Sequence, residues 1–254
     1  MLLEIKELIK DFGGLRAVEK FSLNIKKNDL IGLIGPNGAG KTTVFNLLTG
    51  VYEPTSGYVK LLGEEITAEK PYKITEAGIA RTFQNIRLFK DMTVLQNVLV
   101  SKHFNVEYGL VGGIFKSKLY QKEEVRIKRE AEILLDRFGL QDKMHLPASS
   151  LPYGEQRRLE IVRALATNPA LLLLDEPAAG MNPQETVELM ELIRGIRKDF
   201  DIAILLIEHD MKFVMGLCER LIVLDYGKII AEGNPEEVKN NKRVIEAYLG
   251  EVEE

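Results

Sequence analysis

Apolar positions change their spacing three times along the chain. Leu3, Ile5 and Leu8, and later Phe21, Leu23 and Ile25, follow a near two-residue alternation. That spacing predicts two strands, each with one buried face, and Phe12-Gly13-Gly14 between them reads as a turn. Leu30–Ile34 is a continuous apolar run, as expected of a strand covered on both sides. It passes directly into a glycine-rich stretch, residues 35–40. Residues 41–49 then read as a helix ended by Gly50. Short strands are predicted at 59–62, ended by Gly63, and at 79–83. From 94 to 165 the pattern turns helical. Ile127, Ala131, Leu134, Leu135 and Phe138 share one helical face, and Gly139 closes it. A further helix begins at Gly154. Within this helical region, residues 101–117 carry Gly109, Gly112 and Gly113 and read as an inserted loop. The last third alternates again. Strands at 171–174 and 202–207 enclose a helix at 183–197, a βαβ unit that implies a parallel sheet. Asp225-Tyr226-Gly227-Lys228 signals a hairpin. Two short helices near 235–238 and 243–249 close the chain, and residues 251–254 read as a frayed end.

Composition narrows the function classes. The chain has 254 residues, 34 basic against 38 acidic, with 45% hydrophobic and 28% charged positions. These values fit a globular protein and exclude disorder over most of the length. The acidic balance argues against a nucleic-acid partner, because phosphate binding needs clustered Lys and Arg. The single cysteine, Cys218, excludes an internal disulfide and a multi-cysteine zinc site. It falls in a stretch that reads as helical and is expected to be buried and inert. The longest purely apolar runs, residues 170–174 and 202–207, are strand-sized, whereas a spanning helix needs about 20 apolar residues. Charges interrupt the apolar N-terminus, so no signal peptide is expected. The expectation is a soluble, cytoplasmic chain.

The glycine-rich stretch carries chemistry. Gly35-Pro36-Asn37-Gly38-Ala39-Gly40-Lys41-Thr42 fits G-x-x-x-x-G-K-[ST] at every fixed position, between a buried strand and a helix. Glycines let the backbone wrap phosphates, and the helix N-terminus adds partial positive charge. Lys41 is expected to reach the β- and γ-phosphates, the Thr42 hydroxyl to bind Mg²⁺, and Thr43 to support the α-phosphate. The dinucleotide fingerprint fails, because it needs glycine where Thr43 stands. Two further strand ends are candidates. Leu174-Asp175-Glu176-Pro177 places two carboxylates where a parallel sheet opens its ligand crevice, Asp175 toward Mg²⁺ and Glu176 as general base. The strand at 202–207 ends in Glu208-His209-Asp210. His209 then lies at the same edge, either as a structural histidine or as a group for the γ-phosphate or attacking water. His103 and His145 lack such a setting.

Leu151-Pro152-Tyr153-Gly154-Glu155-Gln156-Arg157-Arg158 resembles the signature segment of ATP-binding-cassette (ABC) ATPases, usually L-S-G-G-Q, just ahead of the acidic strand. The rest of the chain then resembles that family in order. The resemblance implies that Phe12 stacks on adenine, that residues 35–42 are the phosphate loop, and that Gln84 is the Q-loop glutamine at Mg²⁺ and the attacking water. It implies that Asp175 and Glu176 are the Walker B aspartate and catalytic glutamate, that residues 179–182 form the D-loop, and that His209 is the switch histidine. Gly154 and Glu155 would meet ATP held by another subunit. The implied fold is an α/β P-loop NTPase with a mostly parallel core sheet, an N-terminal antiparallel β subdomain and an α-helical subdomain. It would form one domain over 1–254, with 1–92 and 168–254 as nucleotide-binding core and β subdomain and 93–167 as the helical signature subdomain. Pro152 and Tyr153 depart from the usual serine and glycine, and proline has no N–H to donate. Asn182 stands where aspartate is usual.

Closer strings are similar to branched-chain amino-acid importers, and to the larger of their two ATP-binding subunits. They are Arg81-Thr82-Phe83-Gln84-Asn85-Ile86-Arg87-Leu88-Phe89, Tyr153 to Ile161, Asp175 to Pro183, and Val244-Ile245-Glu246-Ala247-Tyr248-Leu249-Gly250. The resemblance implies ATP and Mg²⁺ as ligands and a paralogous cassette as head-to-tail partner. It further implies two integral-membrane permease subunits, an external solute-binding protein acting indirectly, and a place on the cytoplasmic face of the membrane. Urea and short-amide importers carry similar strings. Lipid-export ATPases and soluble ABC ATPases remain the alternatives. The basic residues Lys116, Lys118, Lys122, Arg126, Lys128 and Arg129 read either as a solvated helix face with i, i+4 pairs or as a contact for anionic lipid or the membrane subunits.

Overall fold

A computed structural model describes residues 1–106 and 117–249. Of the predicted glycine-bearing loop at 101–117, residues 107–116, with Gly109, Gly112, Gly113 and Lys116, lie outside the described residues, as do Gly250 and the chain end. Its first five residues are not loop but the end of a helix and the 3₁₀ turn His103–Asn105. The chain forms two compact units. One joins Met1–Gln84 to the described residues from Ala170 on, and the other is the described part of Asn85–Pro169.

The first unit holds two sheets. β1 (Leu3–Phe12) and β2 (Leu15–Ile25) form the antiparallel hairpin that the alternation predicts. β4 (Ser56–Leu61) joins β1 on its other side, and the two-residue β5 (Glu64–Glu65) completes this sheet in the order β2-β1-β4-β5. The second sheet contains β3 (Leu30–Ile34), β6 (Ile79–Arg81), β7 (Leu171–Asp175), β8 (Ala203–Ile207), β9 (Arg220–Asp225) and β10 (Lys228–Gly233). Its order is β10-β9-β3-β8-β7-β6, parallel except for the β9–β10 hairpin at the predicted Asp225-Tyr226-Gly227-Lys228 turn.

All five residues of β3, β7 and β8 are buried, which is why these strands read as unbroken apolar runs. One face packs with α1 (Lys41–Leu48) and the antiparallel sheet, in a core that includes Leu3, Phe21, Ile31, Leu33, Phe45, Leu173 and Leu205. On β3 the opposite face meets Val214, Leu221 and the buried Cys218, so closely that a Cβ on Gly32 would lie 2.8 Å from Leu221. Val214 belongs to α7 (Met211–Leu217). Cys218 is not inside that helix: it caps its C-terminus in an extended conformation, though its N–H still bonds Val214 O at 2.9 Å. Burial pushes its thiol pKa up, in keeping with an inert side chain. Further helices of this unit are α2 (Pro71–Ala77), α6 (Pro183–Asp199), α8 (Pro235–Lys239) and α9 (Lys242–Leu249).

The second unit is helical among its described residues. α3 (Val94–Lys102) packs on α4 (Lys118–Arg137) and α5 (Tyr153–Leu165). The predicted face of α4, Ile127 to Phe138, is buried as its period requires. Two of its basic positions form helix-face pairs: Arg126 bridges Glu123 and Glu130, and Lys128 lies 3.9 Å from Glu132. α5 begins at Tyr153, one residue before the predicted start, with Pro152 at its N-cap.

Candidate nucleotide site

Parallel pairing decides which residues meet. Arg81 pairs with Leu173, Asp175 pairs with Ile207, and β3 lies beside β8. The C-terminal ends of β3, β6, β7 and β8 therefore share one edge, and each releases a functional segment there.

β3 releases the phosphate loop. Gly35 has φ +147°, and a Cβ there would lie 1.9 Å from Leu224 O, so only glycine fits where the strand turns past β9. Gly40 caps α1 at φ +102° without a side-chain hydrogen bond, and a Cβ there would lie 2.5 Å from Ala17 O. The first amides of α1 thus have no side-chain cap and are available to an anion. Ala39 is buried and donates to Pro36 O at 3.2 Å, which curls the loop, whereas Asn37 and Gly38 are exposed. Lys41 is folded beneath this loop and bonds Gly35 O at 2.7 Å and Pro36 O at 2.9 Å. Burial pushes its ammonium pKa down, and the nearby charge of Glu176 opposes the shift. Thr42 is exposed and Thr43 half-buried on the first turn.

β7 delivers Asp175 and Glu176. Asp175 is buried and its Oδ2 accepts from Arg81 at 2.6 Å. Arg81 also donates to Asn46 on α1 at 2.7 Å and sits over the Phe45 and Phe83 rings. The guanidinium therefore clamps the phosphate-loop helix to the acidic strand, leaving Asp175 Oδ1 for another ligand. Both side chains of the pair are only 7% exposed. Arg81→Met is expected to cost about 3 kcal/mol, because it strands a buried carboxylate. A drop in the urea midpoint at unchanged m-value measures it.

Glu176 follows with φ +45°, an unusual backbone for a non-glycine residue, and donates its N–H to Ile207 O at 2.9 Å. Its carboxylate accepts from Gln84 Nε2 at 2.7 Å and lies 3.7 Å from His209 Nδ1. Sequence positions 84, 176 and 209 thus converge. The His209 side chain is 63% exposed and Glu176 is 22% exposed, so this cluster opens to solvent. Phe12, 41% exposed at the end of β1, stands edge-on to Tyr52 at 5.1 Å, with Lys10 Nζ 5.0 Å over its ring. Its remaining surface suits a flat base.

Glu208, with no role in the sequence reading, is also part of this edge. It is 1% exposed, and its oxygens accept from the N–H groups of Ala178 and His209. Burial pushes its pKa up, and those N–H groups oppose the shift. The one signal in the sequence is an acidic residue continuing an otherwise apolar strand. In the other unit, Gly154 lies in the first turn of α5, and Glu155 pairs with Lys143.

Comparison with known proteins bears on this geometry. A family profile described as "ABC transporter" matches residues 18–179, more than half of the chain. The chain belongs to the ABC transporter family. As such it is an ATP-binding cassette, the ATPase unit of a transporter, and its resemblance at the signature segment holds at the level of the whole chain. A second profile, "Branched-chain amino acid ATP-binding cassette transporter", matches residues 228–254. The cassette is 48% identical over 250 residues to the high-affinity branched-chain amino acid transport ATP-binding protein LivG of Salmonella typhimurium, covering 98% of both chains. It is 45% identical, at the same coverage, to BraF of Pseudomonas aeruginosa, which bears the same description. Among solved structures, the ADP conformation of MJ1267, an ATP-binding cassette of an ABC transporter, superposes with a TM-score of 0.85 at 32% identity, covering 98% of this chain and 99% of that one. No helix among the described residues is long and apolar enough to cross a membrane.

Proposed function

We propose that this cassette powers the import of branched-chain amino acids by hydrolysing ATP at the edge formed by β3, β6, β7 and β8. The observation that carries the hydrolytic reading is the convergence of Gln84 and His209 on the carboxylate of Glu176, at 2.7 and 3.7 Å. A carboxylate hydrogen-bonded by a neutral amide and flanked by a solvent-facing imidazole suits a general base that polarises water. The substrate reading is supported by the full-length likeness to LivG and BraF and by the C-terminal profile.

In this reading the loop Gly35-Pro36-Asn37-Gly38-Ala39-Gly40 wraps the phosphates, its non-proline residues offering backbone N–H groups and Pro36 only its shape. Lys41 exchanges its two carbonyl partners for the β- and γ-phosphate oxygens, and Thr43 supports the α-phosphate. Phe12 stacks on adenine. Glu176 draws the proton of the attacking water, Gln84 orients that water, and His209 holds the γ-phosphate. Thr42, Gln84 and Asp175 offer oxygen donors for Mg²⁺. No group of three or more His, Cys, Asp or Glu gathers among the described residues, which suits an ion completed by phosphate oxygens and water rather than an all-protein cage. When bound there, Mg²⁺ would neutralise phosphate charge.

The partners follow from the same reading. A paralogous cassette closes head to tail, and Gly154 and Glu155 of this chain contact the ATP it holds. Two integral-membrane permease subunits convert closure and reopening into transport at the cytoplasmic face. A solute-binding protein delivers substrate to them from outside. The test is ATP-driven uptake by the complete complex in proteoliposomes. Leucine uptake that unlabelled isoleucine and valine suppress is expected. Urea uptake without leucine uptake overturns the substrate.

A further inference from the structure

We propose that Glu208 is a positioning residue that keeps the carboxylate of Glu176 and the imidazole of His209 in register. The inference rests on the roles proposed above for those two side chains. β8 ends at Ile207, and the next side chain turns back into the protein, leaving Glu208 1% exposed. Among the described residues it forms no ion pair with Lys or Arg; His209 Nδ1 lies 3.9 Å from its Oε2, and backbone N–H groups supply the hydrogen bonds that compensate the buried carboxylate.

Those bonds are divided between two loops. Oε1 accepts from Ala178 N–H at 2.9 Å, in the loop that leaves β7. Oε2 accepts from His209 N–H at 3.1 Å, in the loop that leaves β8. Each loop is held elsewhere as well. Ala179 N–H bonds Glu176 O and Met181 N–H bonds Ala178 O, so fixing the Ala178 peptide fixes the turn that carries Glu176. On the other side, Asp210 caps α7 by accepting from Lys212 and Phe213. The carboxylate of Glu208 is therefore a two-ended tie between loops whose side chains meet at 3.7 Å. Catalytic geometry is sensitive on this scale, since a misplacement of about 1 Å costs roughly 100-fold in rate. Glutamine at 208 keeps the shape but offers one acceptor and one amine. One of the two backbone N–H groups then faces another donor, and one end of the tie opens.

The experiment compares Glu208→Gln with the wild-type full chain, alone and combined with His209→Ala. Backbone amide exchange is read at 176–181 and 208–210, and kcat and KM for ATP are measured in parallel. We expect faster exchange at Ala178 or His209 and a kcat about 10- to 100-fold lower, with KM within about twofold. Because Glu208 acts through His209 and Glu176, adding Glu208→Gln to His209→Ala is expected to cost no more than about twofold further. An unchanged kcat, or an equal loss on both backgrounds, overturns the positioning role. Glu176→Gln separates the two levels. If it retains turnover, the catalytic reading itself fails. If it abolishes turnover while Glu208→Gln leaves kcat intact, only the present inference fails. Should Glu208→Gln fold poorly, Glu208→Asp serves. It keeps both acceptors on a shorter stem, and its kcat is expected to lie between the two.

Discussion

Glu176→Gln is expected to lower ATP turnover by about 10³-fold while leaving nucleotide binding within about twofold of wild type. The substitution is nearly isosteric. Gln84 Nε2, now 2.7 Å from Glu176 Oε2, still finds an amide oxygen to donate to, so the cluster keeps its shape. The backbone at φ +45° is unchanged in its demands, and the N–H bond to Ile207 O does not involve the side chain. What disappears is the ability to accept a proton from water. The bound triphosphate then persists, and the head-to-tail pair that ATP holds together accumulates. Single-turnover phosphate release measures the rate, and light scattering with ATP measures association. Wild-type turnover together with no ATP-dependent association overturns both the role of Glu176 and the proposed closure.

The parts legible in the sequence are those where a strand and its chemistry are contiguous. β3 with the phosphate loop and β7 with its two carboxylates each announce themselves within about a dozen residues, because burial on both faces makes the strand uniformly apolar and function follows directly. The signature segment is read in the same way, and the family comparison bears out the resemblance drawn from it. Two helices leave little such trace. α2 and α7 have seven residues each, too few to display a helical period. They are set instead by local chemistry, Pro71 in the first turn of one and the Asp210 cap of the other. The apolar surroundings of Cys218 continue past the point where the backbone turns extended, so the sequence pattern alone places it in a helix.

The supporting contacts of the site depend on register rather than on local pattern. Arg81 reaches Asp175 across 94 positions, and Glu208 reaches Ala178 across 30. Both contacts exist because β6, β7 and β8 pair in parallel with Arg81 opposite Leu173 and Asp175 opposite Ile207. A shift of one residue would turn each side chain to the other face of the sheet. A single sequence shows the charges at these strand ends but not their partners.

Lys41→Met is expected to weaken ATP binding by about 10²- to 10³-fold with little loss of fold stability. The ammonium now makes two bonds to carbonyls of its own loop, Gly35 O and Pro36 O. On binding ATP it exchanges them for phosphate oxygens, and charge-assisted bonds of that kind are worth about 1.5–3 kcal/mol each. Two of them account for the expected factor. Burial already disfavours the charged amine, as its lowered pKa indicates, so an apolar side chain of similar length removes a desolvation cost as it removes the two carbonyl bonds. The glycines that shape the loop are untouched, and Gly35 and Gly40 hold its path against Leu224 and Ala17. Binding and stability therefore separate. Titration with a fluorescent ATP analogue reads the first, and a thermal melt of the nucleotide-free protein reads the second. A variant that binds ATP as tightly as wild type removes Lys41 from the phosphate site. Lost binding with a collapsed melting temperature makes the lysine a structural strut of the loop instead.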